Sequence, residues 1–210
     1  MIGGTQDNSG ETRVAILSNV TVTASVDTSF TFTVAGVASG ASVNGDTTST
    51  TTATAIGFGT LVPTVPVIAA QDLTVTTNAV NGFSVTVQED QNLTSANGAD
   101  IDLFKDGNEN VAPTTWTSPT NTLGQEKTYS HLGISSEDAT LTAGDEFGTS
   151  LYAGNFGSTT RQVFYHNGPA NGSTANIGAT RVGYKIEIAS LQEAANDYIN
   201  RITYVATPVF

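Results

Sequence analysis

Carboxylate side chains are the most numerous groups in this sequence that could do chemistry. Three acidic stretches contain candidate pairs: QED at 88–90, ADIDLFKDGNEN at 99–110 and SSEDATLTAGDE at 135–146. Two acids that flank a glycosidic bond can catalyse its hydrolysis. The same stretches coincide with predicted turns, where acidic side chains are normally solvated, and the chain has one tryptophan to stack against a sugar. A secreted acid-pair glycosidase is therefore the last of the functional hypotheses.

The densest acidic loop could also bind calcium, which prefers several oxygen ligands close together. Its candidate ligands are Asp100, Asp102, Asp106, Asn108 and Asn110. The DGNEN segment lacks the regular spacing and the terminal glutamate of an EF-hand. We therefore expect no obligatory cofactor, and calcium is the one candidate ion.

Other catalytic groups are sparse. His131 and His166 lie far apart in the sequence and show no HExxH-type spacing, so each is expected to cap a turn or to lie on the surface. Cysteine is absent, which excludes thiolate catalysis, disulfides and cysteine-ligated zinc. No GxSxG or P-loop pattern occurs. The sequence predicts a protein that is not an enzyme.

The charge balance limits the partners. Seven Lys and Arg stand against 19 Asp and Glu, a net charge of -12, and no basic cluster occurs. Phosphate backbones would be repelled, so nucleic acid is excluded as a partner. The longest apolar run, VPVIAA, is far shorter than the about 20 residues that a membrane-spanning helix needs. We therefore expect no membrane span.

The composition indicates an extracellular protein. The chain contains 35 threonines, and only 12% of its residues are charged, as in exported, protease-resistant surface proteins. The polar start MIGGTQDNSGETR has no apolar core and is not a signal peptide, so export would need a removed signal or another route. Three sequons, at Asn19, Asn92 and Asn171, are weak glycosylation candidates that would add surface glycans.

Strand patterns dominate the chain and must position all of these groups. The β-branched or aromatic runs, many with period two, are RVAIL, VTVTASV, SFTFTVAGV, DLTVTTNAV, FSVTVQED, RQVFYH, RVGYKIEIAS and YINRITYVAT. Asn-Gly and Asp-Gly steps between them are typical of tight antiparallel connections. Only SLQEAANDY, at 190–198, contains helix formers, enough for a single turn or a short 3₁₀ piece.

This pattern predicts an all-β protein: a single antiparallel β-sandwich, jelly-roll or immunoglobulin-like, with long loop excursions. One excursion is the proline-containing stretch 49–71, expected to be a surface connection or an edge strand. The other is 99–130, which contains Trp116. We divide the chain into an N-terminal extension, 1–18, and a β-sandwich domain, 19–210.

Three phrases resemble those of exported prokaryotic β-sandwich modules. They are SLQEAANDYINRITYVATPVF at 190–210, GFGTLVP, and LTVTTNAVNGFSVTV. Tyr198 in the first phrase is similar to a tyrosine corner, whose hydroxyl bonds the backbone at one end of a sandwich. The polar head, then RVAIL, then strands from Val20 also resemble the TasA and camelysin group and the archaeal bundling pili and threads.

The second resemblance implies subunits that polymerise through an N-terminal donor strand. Here that strand would be formed by Val14, Ala15, Ile16 and Leu17. The alternating, nearly uncharged strands from Val20 onward would otherwise present poorly protected edges. The expectation is a pilin-like subunit of an extracellular filament or surface assembly, a polymer of identical chains.

Two other functional classes stay open. A carbohydrate- or cell-binding adhesive module would need an exposed aromatic platform, such as Trp116 with Tyr129, and a viral capsid or tail protein could share the jelly roll. Lys–Asn isopeptide bonds staple some bacterial pilin domains. None is expected here, because the lysines, Lys105, Lys127 and Lys185, lie outside the N-terminal strands.

Overall fold

The computed structural model describes residues 3–4, 21–107, 112–141, 146–154 and 156–210. Seven long strands occur in these ranges: β1 (Phe30–Gly36), β4 (Val67–Thr77), β5 (Phe83–Glu89), β9 (Ser130–Ser136), β11 (Arg161–His166), β13 (Ala179–Ile188) and β14 (Ile202–Pro208). Seven two-residue strands lie between them: β2 (Ser42–Val43), β3 (Asp46–Thr47), β6 (Leu93–Thr94), β7 (Asp100–Ile101), β8 (Thr114–Thr115), β10 (Leu151–Tyr152) and β12 (Ala170–Asn171). The helical structure in the described ranges is one 3₁₀ turn, Glu126–Thr128.

The long strands form two antiparallel sheets. Sheet 1 has the order β1-β4-β13-β9, with β12 also paired to β4, and sheet 2 has the order β11-β5-β14. Every ladder between these strands is antiparallel. The predicted all-β antiparallel fold is confirmed, and its jelly-roll or immunoglobulin-like subtype stays a prediction.

The two sheets share one apolar core, which makes the architecture a sandwich. Strand β5 shows how the sequence builds it, since Phe83, Val85 and Val87 alternate with polar residues and are fully buried. They meet residues of sheet 1 such as Leu73 and Tyr184 in a single cluster. Side chains from two facing sheets that interdigitate in this way are the usual core of a β-sandwich.

A second layer covers the outer face of sheet 1. The excursion from 99 to 130 brings Trp116 against Phe104, with the rings stacked at 4.6 Å. A Cβ added to Gly133 of β9 would lie 2.8 Å from Trp116 Cζ3, so the glycine makes room for the indole. All seven residues of β9 are buried as a result.

Most of the predicted strands are confirmed, and three predictions are wrong. Residues 190–198 form turns and bends and not a helical turn, and 21–26, predicted as a strand, lie outside any strand. Pro63 and Pro66 lie in the surface connection that precedes β4, as expected, but 67–71 of the same stretch belong to β4, which is an inner strand of sheet 1 and not an edge strand. The RVAIL strand and almost all of the 1–18 extension fall outside the described residues. In the described ranges no helix has the length and apolar character to cross a membrane.

Candidate functional site

At one edge of the sandwich the described residues supply no further strand. Strands β1 and β14 are the edge strands of their sheets and lie opposite each other, with the rings of Phe32 and Tyr204 6.3 Å apart in edge-to-face contact. Their inward side chains reach the core but stay half-buried. We call these residues the open edge: Phe30, Phe32, Val34, Ile202, Tyr204 and Ala206.

The open edge offers hydrogen-bonding groups as well as apolar surface. In the described part of the chain no strand pairs with the outer side of β1 or of β14. Unpaired edge strands are ready templates for another strand. A strand inserted here would gain backbone hydrogen bonds and would cover the half-buried side chains of both sheets.

The segment that leads into β1, residues 21–29, does not pack into the sandwich of its own subunit. Residues 21–29 are all exposed and outside any strand, and Val22 and Val26 are 88% and 84% exposed. Only its end is tethered, where Asn78 accepts a hydrogen bond from Ser29 N at 2.8 Å and donates one to Asp27 O at 2.7 Å. The donor-strand residues Val14, Ala15, Ile16 and Leu17 lie outside the described residues.

A separate acidic cleft of about 790 Å³ lies between the end of β5 and the β6–β7 hairpin. It brings together two of the acidic stretches singled out in the sequence, through Glu89 and through Asp100 and Asp102. Asn92 joins the last two, since its Nδ2 donates to Asp100 Oδ2 at 2.8 Å and to Asp102 Oδ1 at 3.2 Å. The third stretch lies elsewhere, and its Asp138 is buried and accepts hydrogen bonds from Thr140.

Burial changes the protonation of this cleft. Glu89 is 2% exposed, and desolvation raises its pKa to about 8, against a smaller lowering by a hydrogen bond from Asn200. Desolvation and the charge of Asp100 raise the pKa of Asp102 to about 6. Glu89 is thus a neutral acid at pH 7 beside an ionised carboxylate, the protonation pattern of an acid and base pair. None of the described residues lining the cleft is aromatic.

The calcium candidates do not converge in the described part of the loop. Asp106 is turned away from Asp100 and Asp102, and its Oδ1 lies 2.9 Å from His131 Nε2. Asn108 and Asn110 lie outside the described residues. Among the residues described, no group of three or more His, Cys, Asp or Glu is placed to hold a metal ion. Calcium binding stays a prediction.

The remaining candidates have structural partners or lie elsewhere. Tyr129 is buried and its hydroxyl accepts a hydrogen bond from Gly124 N, so it cannot form an exposed platform with Trp116. Of the sequons, Asn92 is half-buried, Asn171 is exposed at a turn that its side chain caps, and Asn19 lies outside the described residues. Glycosylation stays a prediction.

His131 caps a turn, which is one of the two roles expected for it, since Asp106 N donates a hydrogen bond to its Nε2 at 3.1 Å. It is 1% exposed in β9, its Nδ1 lies 2.9 Å from Thr117 O, and its Nε2 contacts Asp106. The imidazole therefore ties both arms of the excursion to sheet 1.

His131→Ala should lower the free energy of unfolding by about 2 to 4 kcal/mol, because it leaves a cavity and removes a hydrogen-bond partner from Asp106. Urea unfolding measures this. His166→Ala, at a half-buried position, is the matched control and should stay within about 0.5 kcal/mol of the wild type. Equal stabilities for the two variants would contradict the role assigned to His131.

No protein-family model matches the chain, and no similar curated protein or solved structure was found. The resemblance to the TasA and camelysin group and to the archaeal pili and threads therefore stays a prediction.

Proposed function

We propose that this protein is a structural subunit of an extracellular filament or surface assembly. Each subunit inserts its N-terminal strand, centred on Val14, Ala15, Ile16 and Leu17, into the neighbouring subunit. The observation that carries the proposal is the open edge, where half-buried apolar side chains lie between two unpaired edge strands. The partner is a second copy of the chain, so assembly proceeds head to tail.

The segment after the donor strand supports the same conclusion. Residues 21–29 are exposed and bind the sandwich only near Asn78, so they can act as a linker between one subunit and the donor strand it extends to the next. Val14 and Ile16 would point into the open edge of the recipient. Each would contribute roughly 1.5 to 3 kcal/mol if fully buried, and backbone hydrogen bonds would fix the register.

Deletion of residues 1–18 should abolish fibre growth and leave folded single subunits. Electron microscopy and light scattering measure the loss.

A peptide of residues 10–19 added in excess should occupy the open edge and cap growth. Glu at Val14 and Ile16 should act like the deletion, because an unpaired charge in an apolar groove costs several kcal/mol. Ala15→Glu, on the opposite face of the same strand, is the matched control. Fibres of normal length from the truncated protein would refute the mechanism.

The position of the acceptor groove can be tested separately, because the natural chain has no cysteine. Ile16→Cys combined with Val34→Cys places one thiol on the donor strand and one on the inward side of β1. Oxidation should link neighbouring subunits covalently. Ile16→Cys with Thr33→Cys is the control, since Thr33 is on the exposed side of the same strand.

A further inference from the structure

A buried lysine lies under the second layer of the fold, on the outer face of β13. Lys185 is 8% exposed, and its Nζ lies 5.5 Å from the ring centre of Trp116 and 5.0 Å from that of Tyr152. Its Nζ donates a hydrogen bond to Oδ2 of Asp46 in β3 at 2.9 Å. Lysine is almost never buried unless it is paired. Lys185 therefore lies in a pocket with aromatic walls, while the side chain of Asp46 is 26% exposed.

Two further groups complete the pocket. The Tyr152 hydroxyl donates to the same Asp46 oxygen, and burial raises the pKa of that hydroxyl, so it stays a donor. Glu187 follows Lys185 by two residues on the same face of β13 and is 3% exposed. Its Oε2 accepts a hydrogen bond from Trp116 Nε1 at 2.8 Å, so the indole contacts both Lys185 and Glu187.

We infer that Lys185 and Asp46 condense into an intramolecular isopeptide bond. The site holds what the reaction requires: an amine in contact with a carboxyl group, a second carboxyl nearby, and a hydroxyl donor on the accepting oxygen. Such positioning makes the amine and the carboxyl reactive toward each other in a way that they are not in water. The inference concerns the folded subunit alone and does not depend on assembly.

The reaction balances without a cofactor. The reaction starts with transfer of a proton from the Lys185 ammonium to the Asp46 oxygen that it contacts, which gives a free amine and a carboxylic acid. The Nζ lone pair attacks Asp46 Cγ, and the Tyr152 hydroxyl stabilises the oxygen that gains charge. Glu187 takes a proton from the nitrogen and returns one to the departing hydroxyl. The C–O bond breaks, one water leaves, and an amide remains.

The two residues occur along the chain in the reverse of the order expected from the sequence. An isopeptide bond was expected to need a lysine in an N-terminal strand, where the chain has none. In the structure the carboxyl group lies in the early β2–β3 hairpin and the lysine in β13, 139 residues later. The bond would clamp the hairpin to the centre of sheet 1.

Intact mass spectrometry of the full-length folded protein tests the inference. The chain should be lighter than its sequence mass by one water, and tandem spectra should show a branched peptide that joins Lys185 to Asp46. Lys185→Arg keeps the positive charge but cannot form the amide, so it should regain the full mass. Asp46→Asn should link with loss of ammonia in place of water.

Glu187→Gln separates catalysis from structure, because it keeps the hydrogen bond to Trp116 but cannot shuttle the proton. Circular dichroism should show an unchanged fold, while the linked fraction after purification should fall at least several-fold. A folded wild-type chain with its full sequence mass would overturn the inference. So would a water loss that tandem spectra place at another residue, such as an aspartate in an Asp-Gly step.

Discussion

Gly82→Ala is expected to prevent the chain from reaching a stable fold. Gly82 lies in the connection that carries the chain from β4 in sheet 1 to β5 in sheet 2, with φ at +74°. An added Cβ would lie 1.8 Å from His166 O and 2.6 Å from Gly168 N, and both of these are backbone atoms. No side-chain rotation relieves such a clash, so we expect a loss of more than about 4 kcal/mol, seen as insoluble protein or unfolding at low urea.

Gly59→Ala provides the matched control. Its φ is also positive, at +69°, but no atom lies within 4 Å of the position of a Cβ. The alanine there should cost only about 1 kcal/mol, the strain of the left-handed conformation itself. Equal losses at the two positions would show that backbone strain, and not the close approach of the His166–Gly168 backbone, makes Gly82 necessary.

The protein is expected to be more stable at pH 5 than at pH 8. The pKa of Glu89 rises from 4.5 to about 8 in the fold, and that of Asp102 from 3.8 to about 6. Between the two values of each pair, the folded protein holds a proton that the unfolded chain has lost. Stability therefore falls as pH rises across each window, by roughly 1.4 kcal/mol per pH unit for each group.

Glu89→Gln should remove most of this dependence, because the amide resembles the protonated acid and never ionises. Urea unfolding between pH 5 and pH 8 measures it, and at pH 8 the variant should be more stable than the wild type by up to roughly 4 kcal/mol. Glu193→Gln, at an exposed position, removes one charge elsewhere and should leave the slope unchanged. A wild-type stability that rises from pH 5 to pH 8 would contradict the burial of a neutral Glu89.

The strands that could be predicted are those formed by runs of β-branched and aromatic residues. RQVFYH became β11 with the same boundaries, and β5 followed its pattern of apolar and polar residues. Strand β9, SHLGISS, was missed because its Ser and Gly residues carry no strand signal. Its burial comes from the excursion packed on the outer face, which is a tertiary effect. The opposite error occurred at 21–26, where a good strand pattern has no partner within the subunit.

The candidate sites, like the strands, could be predicted only in part from the sequence. The acids of the cleft were visible in the sequence, but their meeting depends on the β6–β7 hairpin lying beside the end of β5. The Lys185–Asp46 pair was missed, because nothing in the local pattern places residues so distant side by side. The sequence predicted the open edge only as a risk of uncharged strands, because the position of β1 opposite β14 depends on how the two sheets pack.

The strand order also has a consequence for the time at which the protein folds. Strand β13 lies between β4 and β9 in sheet 1, and β14 is the last strand of sheet 2. Neither sheet is therefore complete until these two strands have been synthesised. Individual contacts also join residues that are far apart in the sequence. The Tyr204 hydroxyl, for example, donates a hydrogen bond to Gln71, which precedes it by 133 residues. Chains rich in such distant contacts fold slowly. We therefore expect the sandwich to be completed late in synthesis, after β13 and β14 have emerged.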